Sequence, residues 1–194
     1  MVPDPDAALL LAFQRGDESA FRTLFERHAR SMVAFCHHFV RDQARAEELA
    51  QDVFLKLHQA APRYQPSARF QTFLYRIASN HCLNELRRGE HQARRAAGAD
   101  GEPAEPDALP GHGATPEEAA RGAALERAVA RMLAGLPEKQ RLALVLCRFQ
   151  GLSYEEIAGV LETTVPAVKS LVHRATVAAA EALAPWAPGE ERRS

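Results

Sequence analysis

Between Gly89 and Thr115 the chain carries Gly98, Gly101, Pro103, Pro106, Pro110, Gly111 and Gly113, and Leu109 is almost its only large apolar residue. Such a stretch cannot bury enough surface to offset its ordering entropy, so it reads as a flexible linker. It leaves pieces of about 90 and 75 residues, a size at which helical domains fold alone. The expected organisation is a first domain over 1–90, a linker over 91–115 and a second domain over 116–194.

Both pieces read as helical. A short apolar helix from Asp6 to Arg15 stops at Gly16. Phe21, Leu24, Phe25, His28, Met32, Phe35, Cys36 and Phe39 then recur at helical spacing. Ala46, Leu49, Ala50, Val53, Phe54 and Leu57 repeat the pattern, with Pro62 just past its end. A fourth helix is expected from about Ser67 to Arg88, with Phe70, Phe73, Leu74, Ile77, Ala78, His81 and Cys82 on one face. After the linker, Thr115-Pro116-Glu117-Glu118 predicts a cap, a proline at the first position and first-turn acids, opening a helix to Gly135. A helix begins near Leu136-Pro137 and carries Leu142, Val145, Leu146 and Phe149. Ser153-Tyr154-Glu155-Glu156 is a capping box for the next. The last runs from about Val165 to Leu183. No run alternates convincingly with period two, so the fold class is all-α: two small helical domains joined by a linker.

Charge sharpens this picture once it is resolved along the chain. Lys+Arg 24 against Asp+Glu 25 gives a net charge of −1, which taken whole argues against a polyanion partner. From Arg63 to Arg95, however, Arg63, Arg69, Arg76, Arg87, Arg88, Arg94 and Arg95 face only Glu85 and Glu90, a local charge of +5. From Ala96 to Ala120 there is no base, only Asp100, Glu102, Glu105, Asp107, Glu117 and Glu118, a charge of −6. The basic segment points to a nucleic acid, and its alternative is a solvated helix face. Tyr64, Phe70, Phe73 and Tyr75 are interleaved with those arginines, the mixture that holds phosphates and stacks on unpaired bases. Phe70 and Phe73 also share the apolar stripe, so each aromatic has a core role as its alternative.

Ser153 to about Ala180 forms two helices separated by Glu162-Thr163-Thr164, with Ala158 small enough for a close crossing. This is a helix-turn-helix layout, whose second helix would present Ala167, Lys169, Ser170, His173 and Arg174 to a major groove. The alternative is a helical hairpin without a DNA role.

Several function classes are not expected. No stretch approaches the roughly 18 apolar residues of a membrane span, and Asp4 and Asp6 sit where a secretory signal would be basic. Cys36, Cys82 and Cys147 are odd in number and far apart, which fits a reducing cytoplasm. Cys36-His37-His38 and His81-Cys82 look like metal ligands, but adjacent helix positions point around the cylinder, and the two cysteines lie on apolar stripes. No nucleophile–base arrangement, phosphate loop or HExxH motif appears. Neither enzyme activity, metal nor cofactor is expected.

The order of these parts resembles bacterial RNA polymerase sigma factors, in particular the extracytoplasmic-function (ECF) group of the sigma-70 family. Asp17–Arg88 is similar to the second conserved region, through AEELAQDVFLKL (Ala46–Leu57) and RYQPSARFQTFLYRIASNHCLNELRR (Arg63–Arg88). Leu136–Leu183 is similar to the fourth, through LPEKQRLALVL, GLSYEEIAGVL and VKSLVHRA. The resemblance implies that Glu47, Glu48, Gln51, Asp52 and Lys56 contact core RNA polymerase. It implies that Arg63, Arg69, Phe73, Tyr75, Arg76, Asn80, Arg87 and Arg88 read and melt the minus-10 promoter element. Asn80 matches the position that helps hold a base flipped from the non-template strand, a task an amide suits because it both donates and accepts; helix capping is its alternative.

The helix-turn-helix residues Ala167, Lys169, Ser170, His173 and Arg174 would read the minus-35 element, and here the chain departs from the family. A turn resembling G-x-P-x-G-T-V-K-S-R is usual, whereas Glu162, Thr164, Pro166, Ala167 and Leu171 stand at the altered places. From Leu136 to Ala184, Lys139, Arg141, Arg148, Lys169 and Arg174 are matched by Glu138, Glu155, Glu156, Glu162 and Glu181. A weakened minus-35 preference is expected. The implied partners are core polymerase, promoter DNA as duplex and as non-template single strand, and an anti-sigma factor, with no small-molecule substrate and no insertion into a membrane. Two other readings stay open: a stand-alone helix-turn-helix regulator, and a sigma-like interaction protein that no longer reads promoters.

Overall fold

In the computed structural model, the described residues are 4–96 and 116–186, with side chains described outside 90–119. The linker residues 97–115, the cap read at Thr115, and the side chains of Arg94 and Arg95 therefore lie outside the described residues. The described residues form eight α-helices and two 3₁₀ turns, with no strand among them.

The first domain begins with α1 (Pro5–Gln14), α2 (Glu18–Val40) and α3 (Gln43–Ala60). Each starts at an aspartate, Asp4, Asp17 or Asp42, whose carboxylate accepts first-turn N–H groups that would otherwise be unpaired. Asp4 does this twice. One oxygen accepts from Asp6 and Ala7, and the other accepts from the Phe70 N–H at 2.7 Å, which ties the start of α1 to the start of α4 (Phe70–Ala96). The 3₁₀ turn at Ala61–Arg63 and an irregular stretch connect α3 to α4. Leu10, Leu24, Met32, Phe35, Leu49, Leu57, Phe70 and Leu74 fill the core between these helices. Cys36 and Cys82 are fully buried there, as their stripes predicted, with sulfurs 3.8 Å apart, and mutual hydrogen bonding and burial push the Cys82 thiol well above its usual range.

The second domain contains α5 (Pro116–Gly135), α6 (Glu138–Arg148), α7 (Tyr154–Val160) and α8 (Val165–Leu183). The capping box is present: Ser153 Oγ accepts from the Glu156 N–H while Glu156 accepts from the Ser153 N–H. Leu133, Leu142, Leu146 and Ile157 are fully buried beneath α8, which contributes Val168, Val172 and Ala175. Ala158 is buried, in keeping with the close helix crossing. The fourth helix continues past Arg88 to Ala96, so ordered helix enters the stretch assigned to the linker.

The two domains pack against each other. The Tyr75 hydroxyl donates to Gln150 Oε1 at 2.6 Å, and the Arg41 guanidinium donates to the Ala130 carbonyl. His38, near the end of α2, lies against Phe149, just beyond α6, with ring centroids 4.2 Å apart. Burial, helped by neighbouring His37, pushes the His38 imidazole down to about 4. The folded protein thus prefers neutral His38. Its contribution is fully present above the unfolded value of 6.5 and is lost as pH falls from there toward 4. Because the ring is only partly buried, the expected loss by pH 5 is on the order of 1 kcal/mol. Thermal unfolding at pH 7 and pH 5 checks this, since the drop in midpoint should be smaller in His38→Phe than in the wild type. Equal drops would deny His38 this role.

Candidate nucleic-acid interface

Positions 69, 73, 76, 80 and 87 are three, four or seven residues apart, so a single helix must place them along one face. At the helical rise this face spans about 27 Å from Arg69 to Arg87. Arg69, Asn80 and Arg87 are exposed, while Phe73 and Arg76 are half-buried. The Arg76 guanidinium lies 5.8 Å from the centroid of the Phe73 ring, which in turn packs against Tyr64 at 4.9 Å. Asn80 stands deep inside α4 rather than at an end, so it is not a cap, and its amide has no partner among the described residues. It is available to an external group.

Beside this face opens a cleft of about 340 Å³ lined by Arg63, Tyr64, Gln65, Ser67, Ala68, Thr72, Phe73, Arg76 and Gly159. Arg63 is exposed at the end of the 3₁₀ turn, with no ion pair among the described residues. The buried Tyr64 hydroxyl has no hydrogen-bond partner among the described residues. Together the lining offers two guanidiniums, an amide, hydroxyls and aromatic surface, groups that fit a planar base with an attached phosphate. Gln65, Ser67 and Thr72 are additions to the residues read from sequence. The signal for the first two was present, because Pro62 and Pro66 mark a loop that runs on through Ser67, and loops carry function more often than the helices they join.

Two of the expected residues lie elsewhere. Tyr75 is 3% exposed, with its ring edge-on to Phe35 at 5.2 Å, and burial pushes its phenol up to about 12. It belongs to the core, and in this arrangement no base can stack on it. The reason is its position next to Leu74, on the flank of the buried stripe that includes Phe70, Ala78 and Cys82. Arg88 is exposed but turned to its own helix, where it pairs with Glu85 at 2.5 Å.

On α3, Glu47, Glu48, Gln51, Asp52 and Lys56 are all exposed, opposite a buried stripe of Ala46, Leu49, Ala50, Val53 and Leu57. Arg45 bridges Glu48 and Glu85, each at 2.6 Å, and Asp52 approaches His81 at 3.2 Å. Leu55 lies among these polar groups at 60% exposure, and Phe25 is 42% exposed against Phe54. An apolar side chain so exposed between charges suits a protein contact, and the sequence pattern alone had not singled it out.

On α8, Lys169, Ser170, His173 and Arg174 are exposed side by side, whereas Ala167 and Leu171 are half-buried. The Ala167 N–H is taken by the capping hydroxyl of Thr164 at 3.4 Å. Leu171 packs against the core, with only part of its side chain left at the surface. In the turn, Glu162 adopts a left-handed φ of 50°, a conformation glycine holds without strain.

No helix among the described residues is long and apolar enough to cross a membrane, and no group of three or more His, Cys, Asp or Glu among them could hold a metal.

Residues 24–92 match the family model "Sigma-70 region 2", and residues 126–177 match "Sigma-70, region 4". The chain is 34% identical over 190 residues to the RNA polymerase sigma-H factor of Pseudomonas aeruginosa, covering 95% of this chain and 97% of that one. It is 31% identical over 175 residues to the ECF RNA polymerase sigma-E factor of Escherichia coli K12, covering 88% and 90%. Among solved structures, CnrH in complex with the cytosolic domain of CnrY has a similar fold, with a TM-score of 0.71 over 94% of this chain and 99% of that one at 24% identity. The sigma factor RpoE in complex with the anti-sigma factor NepR from Bartonella quintana gives a TM-score of 0.66 over 84% and 96% at 21% identity. With both conserved regions present in order and relatives matched along nearly their whole length, the chain belongs to the ECF group of the sigma-70 family.

Proposed function

We propose that this sigma factor binds core RNA polymerase and directs it to promoters by capturing the minus-10 element as single-stranded DNA, with a minor contribution from minus-35 duplex. The observation that carries the reading is the single face of α4, where Arg69, Phe73, Arg76, Asn80 and Arg87 run beside the cleft at Arg63 and Tyr64. Arginines neutralise phosphates, Phe73 offers an aromatic surface, and the free Asn80 amide can read a base edge. Opening the duplex costs a few kcal/mol per unstacked base, and the single-strand contacts offset that cost without fuel. Residues 1–90 would act in polymerase docking and minus-10 recognition and 116–194 in minus-35 recognition, with the linker between them.

Core polymerase would be gripped by the α3 face of Glu47, Glu48, Gln51, Asp52 and Lys56, with Leu55 as its apolar centre. An anti-sigma factor is a proposed further partner, because solved proteins of this fold are seen in such complexes. Action on the transcription machinery would put the protein in the cytoplasm.

For the minus-35 contact, the equal numbers of bases and acids in residues 136–184 support weak phosphate neutralisation. Replacing Lys169 and Arg174 together with alanine is expected to reduce the salt-dependence slope of promoter binding by about 2 and to lower transcription less than about tenfold. Fluorescence anisotropy of the holoenzyme on promoter duplex across a salt series checks this. A loss of a hundredfold or more would show that the minus-35 element dominates. Promoter-specific transcripts from core polymerase supplied with this protein are the direct test of the function as a whole.

A further inference from the structure

Three arginines of the proposed minus-10 surface are occupied by acids of the second domain. Arg69 meets Glu156 at 3.2 Å, Arg76 meets Glu162 at 3.7 Å, and Arg87 meets Glu138 at 2.9 Å. These acids come from α7, the turn after it and the start of α6, so separate elements converge on one face of α4. Burial raises the Glu156 carboxyl, but hydrogen bonds from Ser153 and Arg69 outweigh it and hold the group below the usual carboxylate range, so it stays charged. Gly159 closes the cleft at Arg63 and Tyr64 from the second domain. Its fit is tight: a Cβ at position 159 would come within 2.9 Å of Thr72 Cγ2, and Thr72 is itself buried.

We propose that the acidic rim of the second domain acts as a phosphate mimic in cis, holding the α4 arginines and closing the base cleft until polymerase or DNA displaces it. The proposal rests on the minus-10 reading and names the group that competes with DNA at that site. Each guanidinium pairs with either a glutamate of the rim or a phosphate of the strand, and Gly159 and an inserted base claim the same cleft. The ion pairs are exposed and individually weak, so the closed form is an equilibrium that salt and partners shift. A glycine inside α7 has a stated use in this arrangement, because it lets the two helices approach closely enough to close the cleft. Chain opening would free the α4 arginines and the cleft, whereas Lys169, Ser170, His173 and Arg174 on α8 are exposed already.

The test uses the full chain, with Gly159→Gln as a neutral wedge and Glu138→Gln/Glu156→Gln/Glu162→Gln as a second variant. Glutamine favours helix over glycine, and it can take the place of Glu156 in the capping box, so both variants keep α7. Small-angle scattering reports compactness, and anisotropy of a fluorescent 30-nucleotide single-stranded DNA of mixed sequence reports access to the arginines. If the wild type is closed about nine-tenths of the time, both variants should be more expanded and bind about tenfold tighter. Replacing Arg69, Arg76 and Arg87 with alanine in the Gly159→Gln background should remove that gain. Because Gly159→Gln changes no charge, its gain cannot be a general electrostatic effect. The masking proposal is overturned by a wild type already as expanded as the variants, or by variants as compact as the wild type. It is equally overturned by expanded variants with wild-type affinity whose binding still needs the arginines. Expanded variants that bind DNA no better than the arginine-free protein would instead remove the minus-10 reading itself.

Discussion

Asn80→Ala is expected to lower promoter-specific transcription by about tenfold or more while leaving core polymerase binding unchanged. The magnitude follows from the worth of a good amide–base contact, about 1–3 kcal/mol, with 1.4 kcal/mol per factor of ten. The separation of effects follows from geometry. Asn80 is exposed on α4 and has no partner among the described residues, so its removal leaves no buried group unpaired there and takes nothing from the core. The proposed polymerase contacts lie on α3, on a different helix. Permanganate footprinting of unpaired thymines should show reduced opening with the variant, and a gel-filtration assay with core polymerase should show unchanged co-elution. Full promoter opening by Asn80→Ala would take the residue out of the site.

Phe70→Ala is expected to destabilise the first domain by about 3–5 kcal/mol, which for a domain of this size corresponds to a midpoint shift of roughly 15 °C or more. Phe70 is fully buried at the first position of α4, and its ring lies 5.3 Å from His28. Its N–H also carries the bond to Asp4 that joins α1 to α4, so the side chain holds in place a backbone contact between two helix starts. Phe73, Arg76 and Asn80 follow on the same helix, and an α4 that frays at its start loses their common alignment first. Phe70→Leu, which keeps most of the volume, should cost much less, with a midpoint within several degrees of the wild type. Differential scanning calorimetry distinguishes the two. A shift of only a few degrees in Phe70→Ala would mean that α4 is anchored elsewhere.

Much of this arrangement is legible in the residues, because it follows from local rules. The bounds of α8 at Val165 and Leu183 follow from the Thr164 cap and the apolar spacing, and the Ser153–Glu156 box is a four-residue signal. The buried stripes of α2 and α3 follow from period alone. What local rules could not show is which side of a stripe an ambiguous aromatic takes. Phe73 and Tyr75 sit two positions apart among arginines, yet one lines the cleft and the other packs on Phe35 in the core. The pairing of Arg69 with Glu156 was likewise invisible, because it joins residues 87 positions apart and belongs to no periodic pattern. The divergent turn is an intermediate case. The sequence marks Glu162 as a departure from the family's glycine, and the structure adds that the left-handed backbone is retained there, so the side chain is tolerated at a cost and meets Arg76.

Promoter recognition by α4 and the cleft beside it is the centre of the proposed function. The direct measurement is in-vitro transcription on fragmented genomic DNA with purified core polymerase, with and without this protein, and the transcript 5′ ends mapped. Discrete 5′ ends are expected that require the protein, share a sequence motif about ten base pairs upstream, and disappear when Arg69, Arg76 and Asn80 are replaced with alanine. Stable association with core polymerase but no discrete 5′ ends, or discrete ends that survive those substitutions, would contradict the proposed function.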